Sequence, residues 1–114
     1  MKNSALSSFK NDMLMDQGDG KMGEPVRVAI IGDYNPKASH HVMSNESLKH
    51  AASALQVEAD VVWIPTDEVS PDPSDQLIDF DAIWCSSGSP YKSASGAISA
   101  IQYAREQNRP FFAT

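Results

Sequence analysis

The chain has 114 residues, one cysteine and a formal net charge of −6, from 9 Lys and Arg against 15 Asp and Glu. No basic cluster interrupts that acidity, which argues against a nucleic-acid backbone or an anionic membrane surface as partner. No stretch reaches the roughly 20 apolar residues of a membrane span, the first eight residues lack the apolar core of a secretory signal, and the lone Cys85 leaves no internal disulfide and no multi-cysteine zinc site, so a cytoplasmic protein is expected. Residues 1–23 are polar, with no sustained apolar period, and read as a disordered tail or leader. The folded part is expected over 24–114. Val26 to Ile31 is a β-branched apolar run closed by Gly32, a strand signal. Leu48, Ala51, Ala52 and Leu55 then fall at helical spacing behind Ser44 as a cap. Ala59 to Ile64, closed by Pro65, is a second strand. The segment from Pro65 to Asp81, with Asp67, Glu68, Asp72, Asp75 and Asp79, reads as a solvated connection. Asp81 to Cys85 is a third strand; Ala94, Ala97, Ile98, Ile101 and Ala104 mark a second helix ended by Asn108 and Pro110; and Pro110 to Thr114 is a fourth strand. Strands that are apolar on both faces and alternate with helices predict a three-layer, doubly wound, mainly parallel α/β sheet.

In such a sheet ligands sit beyond the carboxyl ends of the strands. The loop from Gly32 to Ser39 has one Gly and no dinucleotide-binding spacing, so no nicotinamide cofactor is expected. The loop Cys85-Ser-Ser-Gly-Ser-Pro-Tyr91 is the better candidate. Its small residues let backbone approach a ligand, and Pro90 holds a turn in which two or more N–H groups escape the sheet, as oxyanion stabilisation needs. Cys85 ends a strand with no positive neighbour to activate it, so it reads as a buried structural thiol. His40 and His41 are adjacent and read as loop and surface residues, and His50 lies on a helix; with no further ligand spacing, no metal is expected. Trp63 and Trp84 read as strand packing residues.

Four segments carry a family resemblance: "RVAIIGDY" from Arg27, "ESLKHA" from Glu46, "FDAIWCSSGSPY" from Phe80 and "GAISAIQYAREQNRPFFAT" from Gly96. Over 27–114 the chain resembles the N-terminal half of the class I glutamine amidotransferase domain of CTP synthases and their stand-alone homologues, a flavodoxin-like α/β fold. The resemblance implies a glutaminase that hydrolyses L-glutamine to glutamate and ammonia, with a Cys nucleophile elbow just after Thr114 and a His-Glu pair later still. No catalytic residue is expected within the chain. Gly88 matches the second glycine of the family's Pro-Gly-Gly-Phe loop, and with Ser87 and Ser89 it is expected to bind glutamine and its oxyanion; Ser86, Ser87 and Ser89 depart from the family's Pro, Gly and Phe. The implied partners are L-glutamine and an ammonia-accepting synthase domain or subunit, which residues 1–23 do not supply; self-association is left open. Two other readings stay open: a catalytically degenerate regulatory or interaction subunit, and a flavodoxin-like binding module. A phospho-receiver needs an Asp where Cys85 stands.

Overall fold

The computed structural model describes residues 24–88 and 91–114; the expectation of a tail over 1–23 lies outside the described residues. In chain order these form β1 (Val26–Ile31), α1 (Ser39–Leu55), β2 (Ala59–Ile64), a 3-10 turn (Thr66–Glu68), α2 (Ser74–Leu77), β3 (Ala82–Cys85), α3 (Ala94–Glu106) and β4 (Phe111–Ala113). The strands make one four-stranded sheet in the order β2-β1-β3-β4. All neighbours are parallel, with Val28 opposite both Val61 and Ala82, and Trp84 opposite Phe112.

Parallel pairing forces the chain to cross over a sheet face between neighbours, and side chains alternate between faces along each strand. Val26, Val28 and Ile30 of β1 share one face with Trp84, where Leu48 and Leu55 of α1 cover them. Ala29, Ile31, Ile83 and Cys85 share the other, under Ala100, Tyr103 and Ala104 of α3 and under Val69, Leu77 and Phe80 of the connection. The result is the three-layer, doubly wound arrangement expected from the apolar runs, consistent with the incomplete flavodoxin-like fold that the resemblance implies. Ile30, Ile31 and Leu77 are fully buried, and each such side chain stabilises the fold by roughly 1.5–3 kcal/mol relative to exposure. β2 is only half-buried because it forms an edge. Among the described residues no helix is long and apolar enough to cross a membrane.

Three local expectations are corrected. Ser44 is not the cap of α1, which begins five residues earlier. The N-cap is Ala38, with no capping side chain, reached through a turn at Asn35: its side chain accepts the Lys37 N–H at 2.9 Å, its carbonyl accepts the Ala38 N–H at 2.9 Å, and Pro36 presets the turn. Ser44 is interior, its hydroxyl donating back to the His40 carbonyl at 2.9 Å. In α3, Ile98 and Ile101 are exposed rather than core, and the sheet is met by Ala97, Ala100, Tyr103 and Ala104. The Ser93 side chain accepts the Gly96 N–H at 3.1 Å and fixes where α3 starts. Gly96 then abuts the Thr66 carbonyl, where any Cβ would overlap it, so the helix turns its smallest residues inward. The acidic segment is not merely solvated: it buries Thr66, Val69, Leu77 and Phe80, and its Asp72 accepts the Ser74 N–H and hydroxyl at the start of α2.

Candidate functional site

From β1 the chain turns to α1 on one face, and from β3 to α3 on the other, so the strand order reverses between these two neighbours. That switch opens a crevice beyond their carboxyl ends, bordered by Gly32 to Ala38 and by the loop after Cys85. Asp33 ties its walls together. Its carboxylate accepts the Thr66 N–H at 2.9 Å, the Lys92 N–H at 2.9 Å and the Thr66 hydroxyl, whose oxygen in turn accepts the Ser93 N–H at 2.9 Å. Burial pushes the Asp33 carboxyl upward, but the Lys92 and Thr66 N–H groups, the Thr66 hydroxyl and the Lys92 charge outweigh it and hold the group below the usual carboxylate range.

The loop after β3 leaves the sheet in steps. Ser86 still pairs, its N–H donating to the Ile31 carbonyl at 3.0 Å, and its carbonyl accepts the Tyr91 hydroxyl at 2.6 Å. Its own hydroxyl is buried without a partner among the described residues, against Gly32, where a Cβ would overlap it. Gly88 has φ 114°, a conformation that a side chain strains. Among the described residues neither the Ser87 nor the Gly88 N–H meets an acceptor, an arrangement suited to receiving a carbonyl oxygen or oxyanion. The loop's remaining candidate, Ser89, lies outside the described residues. Next door, the Thr114 N–H donates to the Cys85 carbonyl at 3.2 Å, so β4 stays in register with β3 up to this loop.

His40 and His41 are not loop residues, although His40 is exposed as expected. Both lie in the first turn of α1, and His41 is buried. A Cβ on Gly88 would stand 3.0 Å from His41 Nε2 and 3.1 Å from His40 Nε2, so both rings reach the loop. His41 Nδ1 accepts the Asn35 N–H at 3.0 Å, and its Nε2 lies 3.0 Å from the Ser87 carbonyl oxygen. Trp63 and Tyr34 complete an aromatic wall: the Trp63 centroid lies 5.0 Å from that of His41 and 4.8 Å from that of Tyr34. The Trp63 indole N–H donates to Asn45 at 2.8 Å. Cys85 is the inert thiol expected of it, since burial in the core raises it to about 11 and keeps it protonated at neutral pH.

Sequence reasoning missed His41, Asp33 and Thr66. An Asp directly after the glycine closing β1 was the one available signal; the Thr66 and Ser87 partners are set by sheet order alone. A groove of about 560 Å³ lies elsewhere, between α1 and β2, lined by Tyr34, Val42, Asn45, Glu46, Lys49 and Trp63 among others, and does not include the Ser86 to Gly88 loop.

No family model matches the chain. Over 95 residues it is 36% identical to CTP synthase of Staphylococcus aureus strain JH9, and to the same degree to CTP synthase of strains Newman and N315. The alignment takes in 82% of this chain but 17% of each relative's length. The chain is therefore a CTP synthase-related segment.

Proposed function

We propose that this segment belongs to a glutamine amidotransferase domain of the CTP synthase kind and supplies the glutamine- and oxyanion-binding loop, through Gly88 with Ser87 and Ser89. A Cys following Thr114 would act as nucleophile. Its thiolate attacks the side-chain amide carbon of L-glutamine, the C–N bond breaks as the nitrogen takes a proton and leaves as ammonia, and water hydrolyses the thioester to glutamate and free thiolate. A His-Glu pair outside these residues moves the protons. The ammonia passes to a synthase domain or subunit, linking the protein to pyrimidine nucleotide biosynthesis.

One observation carries this reading: β4 lies beside β3, with the Thr114 N–H on the Cys85 carbonyl, so a residue following Thr114 would emerge next to the N–H groups of Ser87 and Gly88. Nucleophile and oxyanion donors must both lie about 3 Å from one reacting carbonyl, and neighbouring parallel strands bring their loops that close. The high thiol value and core position of Cys85 leave that cysteine out of the chemistry.

The test is glutamine hydrolysis by the full-length protein. Gly88→Val places branched carbons against both histidine rings, at a φ of 114° that β-branched residues avoid. It should lower kcat about a hundredfold or more, the cost of one misplaced oxyanion donor. Turnover that survives Gly88→Val sinks the assignment of the loop. A wild type inactive with glutamine and every synthase partner would instead favour a degenerate regulatory subunit, a reading supported by the Ser residues at 86 and 87.

A further inference from the structure

His41 bridges two loops with both ring nitrogens. A backbone N–H can only donate, so Nδ1, which faces the Asn35 N–H at 3.0 Å, carries no proton. A carbonyl can only accept, so Nε2, 3.0 Å from the Ser87 oxygen, must carry one. The ring is therefore the neutral Nε2–H tautomer, with neither nitrogen left for a metal or a reacting proton. It meets Trp63 at a tilt and His40 edge-on, with centroids at 5.0 and 4.5 Å, and stacks against Tyr34 at 6.0 Å.

The Ser87 carbonyl belongs to the same planar peptide as the Gly88 N–H, and in a trans peptide the two point in opposite directions. Pinning the oxygen on His41, at the start of α1, turns the Gly88 N–H away from that helix. Without the pin, no other hydrogen bond among the described residues holds the peptide that precedes this glycine at φ 114°. We propose that His41 is a positioning residue of the glutamine site: a latch between the β1 and β3 loops that aims the Gly88 N–H at the substrate oxygen. This rests on the glutaminase reading above.

Two measurements on the full-length protein separate the latch from that reading. Imidazole nitrogen NMR of the wild type reports the tautomer whether or not the protein turns over, and should show Nε2 protonated and Nδ1 bare. In glutamine hydrolysis, His41→Phe keeps the aromatic packing but not the donor, and should lower kcat about tenfold or more, as loss of one aligned hydrogen bond does. KM should move by less than about threefold, because the oxyanion forms only in the transition state. His41→Gln, whose amide can donate to the Ser87 carbonyl, should recover most of the loss, and folding of both variants is checked by thermal unfolding. An Nδ1–H or doubly protonated ring, or wild-type kcat in His41→Phe, overturns the latch in an otherwise active enzyme. Equal losses in the Phe and Gln variants would also overturn it, by reducing His41 to packing. A wild type without glutaminase activity overturns the functional reading and with it this role.

Discussion

Replacing Asp33 by Asn is nearly isosteric, yet the hydrogen-bond chemistry of the crevice forbids it from being neutral. The carboxylate faces N–H donors on both oxygens, Thr66 on one and Lys92 on the other, each at 2.9 Å. A carboxylate accepts at both; an amide accepts at one and donates at the other. Whichever way the substituted amide is flipped, its NH2 group confronts a backbone N–H, so one charge-assisted bond is lost and one donor is orphaned. In a dry site that costs roughly 1.5–3 kcal/mol, but Asp33 is only partly buried and water can reach the orphaned group, so we expect about 1–2 kcal/mol. Urea unfolding of the full-length protein at neutral pH measures it. The acid limb gives a second reading. Because the folded carboxyl is held below its ordinary 3.8, its contribution is fully present above that value and is lost as the pH falls through the lower folded value. The variant should lack this part of the acid dependence. An Asp33→Asn protein within about 0.5 kcal/mol of wild type, the spread of ordinary surface substitutions, would refute the description of Asp33 as the tie between β1, the 3-10 turn and the start of α3.

Two further predictions concern residues whose roles are structural. Cys85→Ser buries a hydroxyl in the apolar core and should cost about 1–2 kcal/mol of stability, while leaving glutamine turnover of the folded protein nearly unchanged. Iodoacetamide should label Cys85 only on unfolding; rapid labelling of native protein at pH 8 would refute a thiol raised by burial to about 11. Since that folded value lies above the ordinary 9.0, the thiol's contribution is complete below 9.0 and fades as the pH rises toward 11. Ser44→Ala should fall within about 0.5 kcal/mol of wild type, since Ala is the better helix former and the lost bond goes to a carbonyl of the preceding turn. A loss of about 1 kcal/mol or more would point to the capping role that the helix geometry denies it.

The sheet was legible because each strand states its own environment. Val26 to Ile31, polar only at Arg27 near its start, and Ala82 to Cys85, wholly apolar, offer solvent no continuous polar side, so they had to be interior strands, and parallel pairing followed from the helices between them. The face of α3 was less legible. Ile98 and Ile101 keep helical spacing as well as Ala97, Ala100 and Ala104 do, and hydrophobicity alone favours the larger residues for the core. What decides the matter is the room between helix and sheet: Gly96 meets the Thr66 carbonyl with no space for a Cβ, and a helix packed that tightly presents its small side. The acidic connection misled for a related reason. Its charges outnumber its apolar residues, yet Val69, Leu77 and Phe80 join α3 in covering the second face of the sheet.

The histidines were missed through a single boundary. A helix capped at Ser44 leaves His40 and His41 in the approach loop, where adjacent side chains diverge and neither has a fixed direction. Starting α1 at Ser39 adds more than one turn, and that turn carries His41 to the carboxyl end of the sheet. The cause is the Asn35-Pro36 turn, which hands the chain into the helix through Ala38 without any capping side chain. Serine at a helix start is a stronger pattern in sequence than an Asn-Pro turn, so local preference pointed to the wrong residue. The contact that gives His41 its place, Ser87, is 46 positions away and becomes a neighbour only because β3 pairs with β1. Once strand order is known, α1 and the loop after β3 must both border the crevice between β1 and β3. A side chain in the first turn of α1 then has that loop within reach, and the Asn35 N–H beside it determines which ring nitrogen bears the proton.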